Sequence, residues 1–332
     1  MRIALLAVPG SMRSALAGLT DIFWLASHVV MNNPVLNRNA DASAPMFSTH
    51  IVTADGLPVE DAQGRLIQAD AAFSMGKEFD LIVATGMRLD EHRYPVDVEA
   101  IHVAAKWIRL HHSCGGRVAG VCAGGFILAE AGLLNGRNCA TTWWLFHTFR
   151  ERYPAAKPAW GKTLVEDGTV MTSGGPLSWI DLALNVVSAF AGPEAAKLTT
   201  DMAIADGQPL SQHLYAPRGF LNSVHPLLMQ AEHLVRYGNP SITVEQLAAA
   251  LNMTTRTLHR KIRDLLHESP KNFIIRVRIE MATRMLEDSA KTVQQIAIEC
   301  GYSDEGAFRR AFNAITGMSP MLYKKWFKSR SL

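Results

Sequence analysis

An internal repeat in the last third of the chain restricts its possible folds more than any other feature. The first copy begins at Thr243 and reads TVEQLAAALNMTTRTLHRKI, and the second begins at Thr292 and reads TVQQIAIECGYSDEGAFRRAF. The copies align at an offset of 49 residues before a short turn and of 50 residues after it. One extra residue in the second turn explains the change of offset, so the sequence predicts the same structural unit twice.

Each copy has the pattern of a short apolar helix, a tight turn and a second helix with basic residues. Thr243 with Gln246, and Thr292 with Gln295, form the capping-box pattern that marks the start of a helix. This arrangement is typical of helix-turn-helix motifs, in which the second helix enters the major groove of DNA. An ordinary pair of packed helices is the structural alternative. Two copies in register, both with arginines on the second helix, favour DNA binding.

The second helices are expected to divide into a core face and a DNA face. The apolar positions, predicted to be core, are Leu258, Ile262, Phe308 and Phe312. Between the copies, Lys271–Leu286 reads as one helix of about 25 Å, a suitable spacer for two recognition helices near one turn of DNA (about 34 Å) apart. Charge supports this interpretation: residues 221–332 contain 16 Lys+Arg and 10 Asp+Glu, whereas residues 1–220 contain 17 and 20. A basic module indicates a polyanionic partner.

The N-terminal half instead alternates short apolar runs with helical patterns. The predicted strands are Ile3–Val8, Phe47–Thr53, Leu81–Ala84 and Arg117–Val121; the predicted helices are Ser14–Val29, Val96–His111, Gly124–Leu134 and Leu177–Phe190. This alternation predicts an α/β fold, a flavodoxin-like parallel sheet sandwiched by helices, followed by an all-α domain with two helix-turn-helix motifs. The expected domains are residues 1–190 and 223–332, with residues 191–222 as a linker.

The second copy reads I-A-x-x-C-G-Y-S-D-x-x-x-F-x-R-x-F and continues with G-x-S-P-x-x-Y. With these motifs, the segment from about Asn222 to Phe327 resembles the AraC/XylS family of transcription regulators. The resemblance implies which residues face DNA from the two recognition helices: Thr255, Arg256, His259, Arg260, Glu305, Gly306, Arg309 and Arg310. Arginine pairs with guanine or phosphate and glutamate accepts a hydrogen bond from cytosine, so the chemistry agrees.

In the N-terminal domain, the predicted strand Arg117–Val121 leads directly into Cys122, small residues and a helix. Such a strand-to-helix elbow exposes a nucleophile, and the helix N-terminus should lower the pKa of the thiol. With this elbow, A-E-A-G-L-L-N-G-R and T-S-G-G-P-L-S-W-I-D-L-A-L, the domain resembles the PfpI branch of the class I glutamine amidotransferase-like superfamily. Relatives place a base and an acid where this chain has Trp143 and Ala15, so no catalytic residues are expected.

The elbow is therefore interpreted as a pocket for a small-molecule effector of unknown identity. Its candidate lining is Gly86, Met87, Cys122, Ala123, Trp143 and Trp144. The tryptophans have two open interpretations: core or dimer-contact aromatics, or a face for a cationic or aromatic ligand. Three hypotheses follow for the protein: an effector-controlled regulator, a cysteine-dependent hydrolase or redox sensor fused to a DNA-binding domain, and a constitutive DNA-binding protein.

The expected partners are a double-stranded DNA operator, a second copy of the chain and, for an activator, RNA polymerase. Charges and prolines interrupt the apolar runs before they reach the length that spans a bilayer, so no membrane is expected. No cofactor is expected, and the histidines His111, His112 and His147 lack the companions of a metal site. The four cysteines show no C-x-x-C pairing, which predicts a reduced, cytoplasmic location.

Overall fold

The computed structural model describes residues 1–33, 36, 45–73, 78–206, 210–288 and 290–330. The chain forms two compact units, Met1–Pro209 and Leu210–Leu332. The first is α/β and the second is helical, so the predicted fold class is confirmed.

The first unit is built on a seven-stranded sheet in the order β10-β11-β7-β6-β1-β2-β5. All neighbouring pairs are parallel except β10 with β11. The strands of the described residues are β1 (Arg2–Leu6), β2 (Ser48–Thr53), β3 (Val59–Glu60), β4 (Leu66–Ile67), β5 (Ala71–Ala72), β6 (Leu81–Ala84), β7 (Arg117–Val121), β8 (Asn138–Cys139), β9 (Lys157–Pro158), β10 (Leu164–Asp167) and β11 (Val170–Ser173). The central strands β1, β6, β7 and β11 are buried along nearly their whole length, as strands of a parallel sheet covered on both faces are.

The helices of this unit are α1 (Arg13–Asn32), α2 (Val98–Ser113), α3 (Gly124–Glu130), α4 (Phe146–Arg152), α5 (Trp179–Ala191) and α6 (Pro193–Ala203). All four helices predicted for this half are present, α3 ending four residues earlier than expected. By length and composition alone, α1 could cross a membrane. Seven of its residues, including Leu16, Leu19 and Phe23, are buried, and a core helix of this kind passes the same test.

The segment interpreted as a linker contains regular structure on both sides of the division between the units. Helix α6 follows α5 after Gly192 and packs on α5 and α1, so it is part of the first unit. Short 3₁₀ turns at Gln212–Leu214 and Phe220–Asn222 are part of the second unit. Gly192, Pro217 and Gly219 mark breaks between short helical segments of this region.

The second unit contains α7 (Pro226–His233) with a π-helical turn at Leu234–Gly238, then α8 (Val244–Ala250), α9 (Thr255–Leu266), α10 (Pro270–Asp288), α11 (Val293–Glu299), α12 (Glu305–Thr316) and α13 (Pro320–Arg330). Both capping boxes form, at Thr243 with Gln246 and at Thr292 with Gln295. The predicted core residues Leu258, Ile262, Phe308 and Phe312 are all fully buried. The repeat is therefore a structural repeat, α8–α9 and α11–α12, joined by the long helix α10.

Candidate DNA-binding surface and elbow cysteine site

The turns inside the two motifs share one backbone feature. Asn252 in the first turn and Gly301 in the second, which occupy the same repeat position, both have positive φ, 53° and 79°. Four residues separate α8 from α9 and five separate α11 from α12, which is the extra residue that shifts the alignment. Asparagine and glycine are the residues that tolerate this conformation best.

Gly301 also sits where the two motifs meet. A Cβ at this position would lie 2.3 Å from the carbonyl oxygen of Pro240, which precedes the first motif. The Arg278 guanidinium of α10 donates to the carbonyl oxygens of Pro240 and Ile242 and lies over the ring of Tyr302. The absent side chain of Gly301 thus lets the start of one motif pack directly on the turn of the other.

The side chains predicted to face DNA lie mostly on the surface. Arg256, His259 and Arg260 of α9 are exposed, and Thr255 is half-buried. On α12, Arg309 and Arg310 are exposed, whereas Glu305 and Gly306 are half-buried. The structure thus places the matched arginines Arg260 and Arg310 on the outer faces of two equivalent helices, opposite the buried stripes.

Sequence reasoning missed two ion pairs on α12. The Arg309 guanidinium lies 2.6 Å from the Glu305 carboxylate, and that of Arg310 lies 3.8 Å from Asp304. Asp304 also caps the helix by accepting hydrogen bonds from the backbone N–H groups of Gly306 and Ala307. The spacing of four residues between Glu305 and Arg309 is the signal that could have revealed the first pair.

A buried ion network in the second unit was also missed. Arg276 of α10 is 3% exposed and lies near the carboxylates of Glu268 (2.8 Å) and Glu280 (3.3 Å). It donates to Asn222, whose amide group in turn donates to Glu232. Glu280 lies four residues after Arg276, a spacing that the sequence does reveal. Asn222 and Glu232 are far from Arg276 in sequence, so no local pattern predicts the complete network.

In the first unit, Cys122 occupies the sharp turn that the sequence predicts between β7 and α3. Its φ is +53°, an uncommon value for a residue with a side chain. The turn is close-packed, because a Cβ at Gly124 would lie 2.1 Å from the carbonyl oxygen of Ala84. The strand-to-helix elbow is therefore present, built on small residues.

The environment of the thiol does not favour a nucleophile. Cys122 is 8% exposed, and burial raises its pKa, although Thr142 and the backbone N–H groups of Ala123 and Gly175 act in the opposite direction. The expectation that the helix N-terminus lowers this pKa is therefore wrong, because loss of water around the thiolate has the larger effect. In the described parts of the chain, the side chain within hydrogen-bond distance of Sγ is that of Thr142, at 3.3 Å.

The candidate pocket residues are only partly brought together. Gly86 is adjacent to Cys122: a Cβ on it would lie 3.4 Å from the cysteine Cβ. Trp143 and Trp144 directly follow Thr142 and are half-buried, and Trp144 packs against the hydrophobic core. Sequence reasoning missed Thr142 itself, whose hydroxyl contacts Cys122 and accepts from the Gly175 backbone N–H at 3.1 Å.

A buried carboxylate, Asp61, also lies at the carboxyl edge of the sheet, where its backbone pairs with Ser11 in the loop after β1. Its oxygens accept hydrogen bonds from the backbone of Gln63 and Arg65 and lie 3.2 Å from Arg13. The backbone N–H groups of Arg65 and Gln63 and the Arg65 guanidinium hold the pKa of the Asp61 carboxyl below its usual value, although burial acts in the opposite direction. In the described residues, neither a hydrogen bond nor an ion pair joins Asp61 to the elbow cysteine.

Comparison with known proteins agrees with this two-part architecture. The sequence model described as a helix-turn-helix domain matches residues 247–325, and that of the DJ-1/PfpI family matches residues 35–189. The chain therefore combines a DJ-1/PfpI domain with an AraC-type helix-turn-helix domain. The predicted family resemblance is confirmed, and the helix-turn-helix domain implies that the chain binds DNA.

Two relatives and one solved structure are similar to one or both of these domains. The HTH-type transcriptional regulator CdhR of Pseudomonas aeruginosa is 29% identical over 282 residues, which cover 83% of this chain and 81% of the relative. Isonitrile hydratase of Pseudomonas putida is 30% identical over 161 residues, 47% of this chain and 65% of the enzyme. The crystal structure of a protein from Vibrio parahaemolyticus is 22% identical in sequence and superposes with a TM-score of 0.50. The match covers 61% of this chain and 98% of the Vibrio chain, which shows a shared fold.

Proposed function

We propose that this AraC-type protein is a cytoplasmic, homodimeric transcription regulator that binds an operator through α9 and α12 and is controlled by a small-molecule effector. The observation that carries the proposal is the pair of equivalent helices, each with exposed arginines at matched positions, Arg260 and Arg310. The relative CdhR, similar over most of its length, is named as a transcriptional regulator. Pairing of two chains would place four recognition helices on one operator and increase affinity by avidity.

We expect Arg260→Ala and Arg310→Ala each to weaken specific DNA binding by about 1–3 kcal/mol, because each removes an arginine from a recognition surface. An arginine that reads a base should relax selectivity at one position, and an arginine that contacts phosphate should weaken all sequences evenly. The measurement is a gel-shift titration on a site selected from random duplexes. Arg284→Ala is the control, because it removes an equally exposed positive charge from α10. Unchanged affinity in both recognition variants would contradict the assignment.

For the DJ-1/PfpI domain, we propose that the elbow holds the effector and does not turn over a substrate. Burial raises the pKa of the Cys122 thiol, its side-chain partner is a threonine hydroxyl, and Trp143 occupies the position of the missing base. The lining is proposed to include Gly86, Met87, Cys122, Ala123, Trp143 and Trp144. An effector present at 100 times its dissociation constant would stabilise the protein by about 2.7 kcal/mol, so a thermal-shift screen of metabolites can find it.

A hydrolase or redox function is the second candidate, because isonitrile hydratase is similar to about half of the chain and Cys122 has the elbow conformation. If the pocket proposal is right, Cys122→Ser should change the affinity for DNA by less than about twofold (0.4 kcal/mol). A reporter gene assayed with and without peroxide measures the redox alternative. A defect of the variant that appears only with peroxide would favour redox sensing, and turnover of amides or isonitriles that the variant abolishes would favour an enzyme.

A further inference from the structure

The two recognition helices differ sharply in charge. Helix α9 exposes Arg256, Arg260, Lys261 and Arg263, and its acidic residue is Asp264. Among the described residues, none of these four cations forms an ion pair within 4.0 Å. The surface of α9 proposed to face DNA therefore carries positive charges without ion-pair partners among the described residues. Such charges are available to neutralise DNA phosphates.

Helix α12 lacks this excess at the equivalent positions. The residues matched to Arg256, Lys261 and Arg263 are Gly306, Ala311 and Asn313. Its two arginines are balanced by two acids, Arg309 by Glu305 and Arg310 by Asp304. The second recognition helix with its cap is thus electrically neutral, although it carries an arginine at the same place as α9.

The geometry holds these arginines at the N-terminal end of α12. The Glu305 carboxylate accepts a hydrogen bond from Nε of Arg309 at 2.7 Å and lies 2.6 Å from Nη2, so it contacts one edge of the guanidinium. A Cβ at Gly306 would lie 3.4 Å from Nη1 of Arg310, so the bare glycine backbone leaves room for that side chain to reach toward Asp304. The Arg309 guanidinium is held by a hydrogen bond and keeps N–H donors for a base, whereas Arg310 lies near its acid without a hydrogen bond to it.

The chemistry of a carboxylate next to DNA decides what such a pair can do. A carboxylate is repelled by every phosphate, whatever the sequence, but accepts a hydrogen bond from the amino group of cytosine. An arginine held by that carboxylate can still donate to the O6 and N7 atoms of a guanine. A Glu–Arg pair therefore binds a suitable base step and penalises the backbone contacts that give non-specific affinity.

We propose that Glu305 and Arg309 form a base-discriminating pair, so that α12 supplies most of the sequence selectivity while α9 supplies most of the salt-dependent affinity. The inference rests on the proposed DNA-binding function and adds a division of roles between the two motifs. The base step that it predicts for the second half-site contains a guanine for Arg309 and an adjacent cytosine for Glu305.

The test uses the full-length protein and DNA sites selected by it from a random duplex library. Glu305→Gln should reduce the ratio of specific to non-specific affinity by about tenfold to a hundredfold and relax the selected sequence at one base step. Its non-specific affinity should rise, because one repulsion of phosphate is removed. The control Glu299→Gln makes the same change of charge on α11, at a residue paired with Lys291, and it should leave the ratio unchanged.

Salt dependence tests the second half of the proposal. Arg260→Ala should lower the slope of log affinity against log salt by about one, whereas Arg309→Ala should relax the selected sequence and change the slope less. Two outcomes would overturn the proposal and leave Glu305 a residue that only stabilises its helix. One is that Glu305→Gln weakens binding to all sequences by the same factor, and the other is that Glu299→Gln loses as much selectivity as Glu305→Gln. Failure of the unmodified protein to select any sequence would instead overturn the proposed function itself.

Discussion

Replacing Gly301 with alanine is expected to destabilise the helical unit by about 2–5 kcal/mol. The left-handed backbone costs a residue with a side chain about 1–2 kcal/mol, and overpacking typically costs about 1–3 kcal/mol more. The overpacking is severe here, because the added Cβ would meet the backbone of Pro240 at 2.3 Å and not a flexible side-chain end. The measurement is urea unfolding, and DNA binding should fall as well because the two motifs would be forced apart.

Two matched variants separate the causes. Gly317→Ala adds a Cβ at another position of positive φ, 81°, where the nearest atom lies 3.9 Å away, so it reports the cost of the backbone conformation. Gly238→Ala adds a Cβ where nothing lies within 4 Å, and it should be neutral or slightly stabilising. If Gly301→Ala cost no more than Gly317→Ala, the close packing of Gly301 on Pro240 would contribute nothing to stability.

The sequence predicted what depends on local or periodic signals. Capping boxes, apolar stripes and the repeat offset located the helices of both motifs and the four core residues. Apolar runs located β1, β6 and β7, because central strands covered on both faces are largely apolar. The run Phe47–Thr53 also located β2, which is only partly buried. The short strands β3, β5 and β9 have no such run, since they are held by pairing with a neighbour and not by their own composition.

The candidate sites show where such signals end. The helix-terminal position of Cys122 suggested an acidic thiol, but its pKa depends on how completely the surrounding fold removes water, which no local pattern records. Thr142 reaches the cysteine across 20 residues of sequence, and Arg276 reaches Asn222 across 54. Contacts of this separation are set by the tertiary fold. The pairing of Glu305 with Arg309 was missed although its spacing is local, because both residues were assigned to DNA.

A helical fragment that begins at residue 223 is expected to be about 3–6 kcal/mol less stable than one that begins at Leu210. The shorter fragment follows the boundary suggested by the sequence, but residues 210–222 belong to the fold of this unit. Leu221 is 2% exposed, and burial of such a side chain contributes about 1.5–3 kcal/mol. Asn222 is fully buried between Arg276 and Glu232, and hydrogen bonds to charged groups contribute about 1.5–3 kcal/mol.

The rest of the segment adds contacts at the far end of the unit. Tyr215 packs edge-on against Trp326 with ring centroids 6.1 Å apart, and the guanidinium of Arg330 lies 5.1 Å from the centre of the Tyr215 ring. Arg218 pairs with Glu287 of α10, so the segment touches both the central helix and α13. Chemical unfolding of the two fragments gives the difference in stability. In the full-length protein, Asn222→Ala isolates the network, because it leaves Arg276 and Glu232 each without one partner. Equal stability of the two fragments would show that residues 210–222 only connect the domains and that the buried arginine is satisfied by Glu268 and Glu280 alone.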